Sequence, residues 1–215
     1  NYDYIQALFT WVYQRANFLQ ASTDTLETPI SYNGSSYTTQ RDYRKAIFKN
    51  EFTRHFDLNH SLVYYLFCEF TALCDNRAKN MFMKSEDVLV ESLLDKNGAA
   101  LNINTVIDAG TGEVHADQID WENSTFAVWF PVLYDLDSCF GVENSGYMQI
   151  PYYADWNYKL NGVQKFNGRE SLLWLMFEEA FADEIEAKAK ELTGRDSGNG
   201  GLNYESLYDY HIKNN

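Results

Sequence analysis

Two short polar runs, Asp75-Asn76-Arg77-Ala78-Lys79-Asn80 and Tyr134-Asp135-Leu136-Asp137-Ser138-Cys139-Phe140-Gly141, carry the residue types that can grip a metal-phosphate. Each follows a strongly apolar stretch, so its carboxylates and carboxamide would emerge at the rim of a packed core. Phosphoryl transfer needs an acceptor-orienting carboxylate, a metal ligand close behind it, and a second carboxylate at a strand end that holds Mg2+ on the nucleotide phosphates. Asp75, Asn80 and Asp135 would fill those places in turn. Arg77 could touch the transferred group, and Asp137 is a further candidate ligand. Plainer readings of the same residues stay open. Asp75 can be a polar helix end with Asn76 as its non-helical stop, Asp135 and Asp137 can be turn residues after a strand, and Arg77 and Lys79 can be surface charges.

The elements that would position these residues change period along the chain. Tyr4, Ala7, Leu8, Trp11, Val12 and Arg15 fall at helical spacing and predict an amphipathic helix from about Asp3 to Leu19. Gln20 to Thr39, with Pro29 and the turn Asn33-Gly34-Ser35-Ser36, reads as a loop with room for a small hairpin. Thr38 or Thr39 can cap a second helix whose stripe is Tyr43, Ile47, Phe48, Phe52 and Phe56. Asp57 or Asn59 starts a third, with Leu62, Val63, Leu66, Phe67, Phe70, Leu73 and Cys74 inward and Tyr64, Tyr65 and Ala72 on the other face. That helix, apolar nearly all round, is predicted to be central.

Beyond Asn80 the period becomes extended. Met81-Phe82-Met83 and Phe126 to Tyr134 are strand candidates expected to pair with each other. Ser85 to Ser124 then reads as an insertion between them, with Leu101, Ile103, Val106 and Ile107 available for a short hairpin. A polar, aromatic loop follows Gly141. A long helix from about Arg169 to Thr193 should stop at Gly194, before a Gly/Ser/Asn joint and a last helical stretch from Tyr204 to Asn215. The fold class expected is α+β and mostly helical, a single domain over residues 1–215 with a small antiparallel β element and a β-rich insertion at about 85–125. Asn1 in place of Met suggests a piece of something longer.

Composition narrows the function. A net charge of −14 argues against a chain that neutralises a nucleic-acid backbone. Part of the excess sits in Glu178, Glu179, Asp183, Glu184, Glu186 and Glu191, which reads as the solvated face of a helix. Cys68, Cys74 and Cys139 form no C-x-x-C pair and are expected as reduced, buried thiols. His55, His60, His115 and His211 have no metal-ligand spacing, so zinc is not expected. No apolar run reaches the roughly 18 to 20 residues of a membrane span, and no basic-then-apolar leader is present.

Protein kinases place their catalytic-loop Asp and metal-binding Asn five positions apart, the spacing of Asp75 and Asn80. The phrase from Phe70 to Met83, followed by Trp129 to Gly141, resembles the core of the CotH-type atypical kinases of the spore-coat family. The likeness is specific over residues 56–83 and 126–141. It implies a protein-kinase-like C-lobe, with Asp75 as the catalytic-loop acid, Asn80 as a metal ligand and Asp135 as the metal-binding Asp, working with Mg2+ and ATP. The run from Asp75 to Asn80, with Phe166-Asn167-Gly168 and Leu173-Trp174, is also similar to tail and other virion proteins of gut bacteriophages. The chain departs from the kinase pattern upstream. Residues 1–55 hold no match to the nucleotide cover or its phosphate-pairing Lys, and Lys45 and Lys49 fall on the solvated side of a predicted helix.

Two expectations of different class result. One is a CotH-like phosphotransferase acting on Ser or Thr of a protein substrate. The other is an inactive structural module of a virion, spore coat or bacterial surface assembly, whose aromatics Tyr152, Tyr153, Trp156 and Tyr158 meet neighbouring subunits. Neither calls for nucleic acid or membrane as a partner.

Overall fold

Thr39 closes a hairpin and opens a helix, and that junction sets the first half of the fold. A computed structural model describes residues 2–16, 23–71, 73, 76, 77, 80–85, 93–101, 116–136 and 171–194. Strands β1 (Thr25–Tyr32) and β2 (Ser35–Thr39) pair antiparallel, with Tyr32 opposite Ser35. Asn33 and Gly34 between them have φ of 46° and 75°, the doubly left-handed turn that Asn-Gly supplies most readily. Thr39 then caps α2 (Gln40–Glu51), its hydroxyl oxygen accepting the Asp42 N–H at 3.1 Å.

Helix α1 (Tyr2–Ala16) buries Ala7, Leu8 and Trp11. The Trp11 ring stacks on Phe48 at 5.2 Å and on His55 at 4.2 Å, while its indole N–H donates to Glu51 at 3.0 Å. Glu51 also holds the Arg15 guanidinium at 2.8 Å, so this buried carboxylate is matched by two donors. A short 3-10 turn, Phe52–Arg54, follows α2 and carries the apolar stripe on to Phe56. Phe52 lies within 5.1 Å of Phe56, Phe177 and Phe181, ring centre to ring centre, at the middle of an aromatic core.

Asp57, rather than Asn59, caps α3 (Leu58–Phe70) through a bond from the His60 N–H of 2.7 Å. Its inward face differs from the expected one. Tyr64 and Tyr65 are buried, whereas Val63 and Phe70 are 40% and 48% exposed. A helix that is apolar all round carries no directional period, so its neighbours choose the face. Trp174 stacks on Tyr64 at 5.3 Å, and Phe177 lies 5.8 Å from Tyr65.

Strands β3 (Phe82–Ser85) and β4 (Trp129–Val132) pair antiparallel as expected, Phe82 opposite Val132 and Ser85 opposite Trp129. β4 is shorter than the predicted strand. On its other side it is tied to the turn before α3, the Trp129 N–H donating to the His55 carbonyl at 2.7 Å and the His60 ring donating to the Pro131 carbonyl at 2.7 Å. Within the intervening segment Leu93, Ile119, Trp121 and Phe126 are buried in the main core, and Arg54 donates to the carbonyls of Trp121 and Glu122. The expected hairpin residues Ile103, Val106 and Ile107 lie outside the described residues.

The single long C-terminal helix is two helices, α4 (Leu172–Ala180) and α5 (Ala182–Thr193). Phe181 breaks them at φ −115°, ψ 27°, because its ring turns into the core against Phe48, Phe52 and Phe177. Gly194, at φ 63°, ends α5 as predicted. The acids of α5 are solvated or paired with lysines, as in Lys49–Glu184 and Lys190–Glu186.

The architecture is therefore α+β: five α-helices and two small antiparallel sheets among the described residues, about half of which are helical. Helices α1 and α2 pack on α4, and α3 packs on α5 and β4. Cys68 is buried and not in a disulfide; Cys74, Cys139 and the predicted helix from Tyr204 lie outside the described residues. No described helix is long and apolar enough to cross a membrane.

Burial, followed by the nearby Arg54 and Arg15 cations, holds the His55 pKa well below its usual value. The folded chain keeps this ring neutral where the unfolded chain protonates it, at about pH 6.5 and below. Stability should therefore fall as pH drops through that window. Urea midpoints measured from about pH 7 to 5 should decline more steeply for the wild type than for His55→Phe, which keeps an aromatic ring between Trp11 and Phe126 without a titrating group; parallel curves refute the assignment.

Candidate functional site

The chain leaves α3 through a wide turn in which the Leu73 N–H reaches the Cys68 carbonyl at 3.0 Å, and Leu73 plugs the core. Asn76 and Arg77 follow, both buried. The loop then surfaces at half-buried Asn80 and enters β3. Strand β4 runs back beside β3 and delivers Tyr134 and Asp135 to the same end.

There the two polar runs meet. The Asn80 carboxamide donates to Asp135 Oδ2 at 2.9 Å, across 55 residues of sequence. Asp135 is exposed, and its backbone is left-handed, with φ 55°. Few L residues adopt that conformation, Asp being among those that tolerate it best. A second clasp lies one residue back, where the Asn76 side-chain N–H donates to the Tyr134 carbonyl at 2.6 Å. The Asn76 carbonyl in turn accepts the Tyr64 hydroxyl at 2.6 Å. Burial, aided by the Cys68 thiol, pushes the Tyr64 pKa up, so this hydroxyl stays protonated and able to donate.

Arg77 lies inside the loop. Its side chain is 2% exposed, its guanidinium pairs with Glu69 of α3 at 2.5 Å and lies 4.7 Å from the Tyr65 ring centre. Its carbonyl accepts the Ser171 N–H at 3.2 Å, and Trp174 donates to the Met81 sulfur at 3.0 Å. The start of α4 thus supports the loop on both sides of Asn80.

Of the residues singled out in the sequence, Asn80 and Asp135 are brought together, whereas Arg77 is buried against Glu69 and Tyr65, so it is not the surface charge the sequence allowed and its guanidinium is not presented to solvent for a phosphoryl group. Asp75 and Asp137 lie outside the described residues, as do Tyr152, Tyr153, Trp156 and Tyr158. Lys45 and Lys49 pair with Asp42 at 3.6 Å and Glu184 at 2.6 Å, along a groove of about 580 Å³ that includes neither Asn80 nor Asp135. Glu69, Tyr64 and Asn76 were not singled out as site residues. Asn76 had a signal of its own, a carboxamide inside the polar run, but it also read as a helix stop.

The Asn80–Asp135 bond uses one nitrogen and one carboxylate oxygen, so among the described residues Asn80 Oδ1 and the second Asp135 oxygen remain for a cation. Both are hard oxygen donors, and Mg2+ takes one or two carboxylates while keeping water and substrate phosphates as its other ligands. The pair fits that ion. Among the described residues no group of three or more His, Cys, Asp or Glu gathers, so the pair would need water and phosphate oxygens to complete a cation's coordination. Beside the pair, Phe82 and Tyr134 are 50% and 54% exposed with ring centres 4.3 Å apart, giving an aromatic surface next to the carboxylate.

No family model, curated protein or solved structure matches this chain.

The Arg77–Glu69 pair gives an ordering of stabilities. Glu69→Ala removes a carboxylate partner of the buried Arg77 guanidinium and should cost about 3 kcal/mol, whereas Arg77→Met removes the charge and keeps an apolar stem, and should cost less. Chemical denaturation of the two variants checks this. Equal or reversed losses would mean that the pair does not anchor the loop.

Proposed function

We propose that this chain is a CotH-like atypical kinase domain, transferring phosphate from Mg-ATP to a Ser or Thr hydroxyl of a protein. The observation that carries the reading is the Asn80–Asp135 hydrogen bond at 2.9 Å, which joins two polar runs whose residue types suit metal-phosphate chemistry. In this reading α3, the loop after it, β3 and β4 are the core of a kinase-like C-lobe, and residues 85–125 are an insertion between its strands. The acceptor hydroxyl is oriented by Asp75. Asn80 and Asp135 hold the metal, with Asp137 in reserve as a further ligand. When bound, Mg2+ neutralises phosphate charge and aligns the transferred group. Arg77, held by Glu69 and Tyr65, keeps the loop in register from below. The exposed Phe82 and Tyr134 rings offer apolar area on which a nucleotide base can lie.

A second reading, a structural module of a virion or surface assembly, is favoured by a different observation. Ile5, Phe9 and Tyr13, four residues apart on α1, are 42%, 60% and 58% exposed and form an apolar stripe suited to a neighbouring subunit.

Thermal unfolding with and without Mg-ATP separates the two. Nucleotide at about a hundred times its dissociation constant should add about 2.7 kcal/mol of stability. Asp135→Ala should lose that gain while keeping the fold. Asp75→Ala should retain it and yet transfer no phosphate to a Ser/Thr-containing protein. Absence of any nucleotide response in the wild type, together with concentration-dependent self-association lost in Phe9→Ser, would favour the structural module.

A further inference from the structure

We infer that Asn76 is the positioning residue that sets the conformation of Asp135, an inference that rests on the phosphotransferase reading for its functional meaning. Asn76 is fully buried and stands between two fixed points. Its carbonyl is held by Tyr64 of α3, and its carboxamide N–H holds the Tyr134 carbonyl, both at 2.6 Å. The direction of the amide is settled by chemistry. Reversing it would press two carbonyl oxygens together at 2.6 Å.

The Tyr134 carbonyl and the Asp135 N–H belong to one planar peptide unit. Holding that oxygen fixes the plane against which the Asp135 φ is measured. The value, 55°, is one that an Asp seldom keeps unaided, and it is the value at which the carboxylate meets Asn80. If the peptide plane turned and φ became negative, the side chain would leave in another direction. Asn76 and Asn80 thus grip consecutive residues, Tyr134 by its backbone and Asp135 by its side chain.

The other half of the Asn76 carboxamide supports the same conclusion. Its Oδ1 is buried and has no hydrogen-bond partner among the described residues. A leucine of similar size would avoid that orphaned oxygen. What leucine lacks is the donor for Tyr134, so the donor explains why an amide belongs at this position.

The test is read first on the metal-free chain. In the wild type, NMR signals of the Asn80 side-chain amide should show the bond to Asp135, and they should move to free-amide positions in Asp135→Ala. Asn76→Leu is expected to move them the same way with the carboxylate still present. A variant that only weakened the fold would lower the melting temperature and leave those signals in place; that result overturns the inference, whether or not the chain binds metal. The second measurement is Mn2+ binding in the presence of ATP, followed by electron paramagnetic resonance. Asn76→Leu should bind at least tenfold more weakly than the wild type, and wild-type affinity in that variant beside lost affinity in Asp135→Ala would also overturn it. Equal Mn2+ binding by the wild type and Asp135→Ala sinks the kinase reading instead, and the NMR comparison then decides the role of Asn76 alone. Should Asn76→Leu fail to fold, Tyr64→Phe removes only the hydroxyl that steadies Asn76. It should shift the Asn80 signals in the same direction by less, and unchanged signals there count against the inference.

Discussion

The antiparallel pairing of β3 with β4 is the constraint on which the candidate site depends. Four residue pairs, from Phe82–Val132 to Ser85–Trp129, fix which end of one strand lies beside which end of the other. Because antiparallel strands run in opposite directions, the start of β3 and the end of β4 come to one edge. Asn80 precedes the first and Asp135 follows the second, so their contact is a consequence of register. A slip by one residue would reverse the faces of the strand and separate the two side chains.

A two-stranded sheet this short is not stable by itself. It is held by the helices. Backbone bonds between Trp129 and the His55–Asp57 turn stitch β4 to the start of α3, and the Trp174–Met81 and Ser171–Arg77 bonds stitch the loop before β3 to the start of α4. Both helices are fixed in turn by the aromatic core around Phe52, Phe177 and Phe181. The site is therefore supported by packing at a distance from it, while its polar edge stays open to solvent.

The local chemistry inside the loop follows the usual economics of burial. Arg77 can be buried because Glu69 and the face of Tyr65 receive its charge, and Tyr64 can be buried because the Asn76 carbonyl receives its hydroxyl. Each polar group taken from water in this loop also restrains the backbone that carries Asn80. An open polar edge and a well-determined foundation are produced by the same few contacts.

Elements set by short-range rules were legible in the residues alone. Thr39 and Asp57 as caps, Asn33-Gly34 as a turn and Gly194 as a helix stop each depend on a residue's own geometry and its near neighbours. The pairing of the two apolar strands and the candidacy of Asn80 and Asp135 were legible for the same reason, since strand propensity and ligand chemistry are properties of side-chain type. Other features needed the third dimension. The inward face of α3, the break at Phe181 and the merging of Trp121 and Phe126 into the main core were decided by which surfaces arrived opposite them. The burial of Arg77 and the grip of Asn76 on Tyr134 were likewise beyond local reading. An arginine or asparagine is written identically whether it faces water or a buried partner, and only the packed chain supplies that partner.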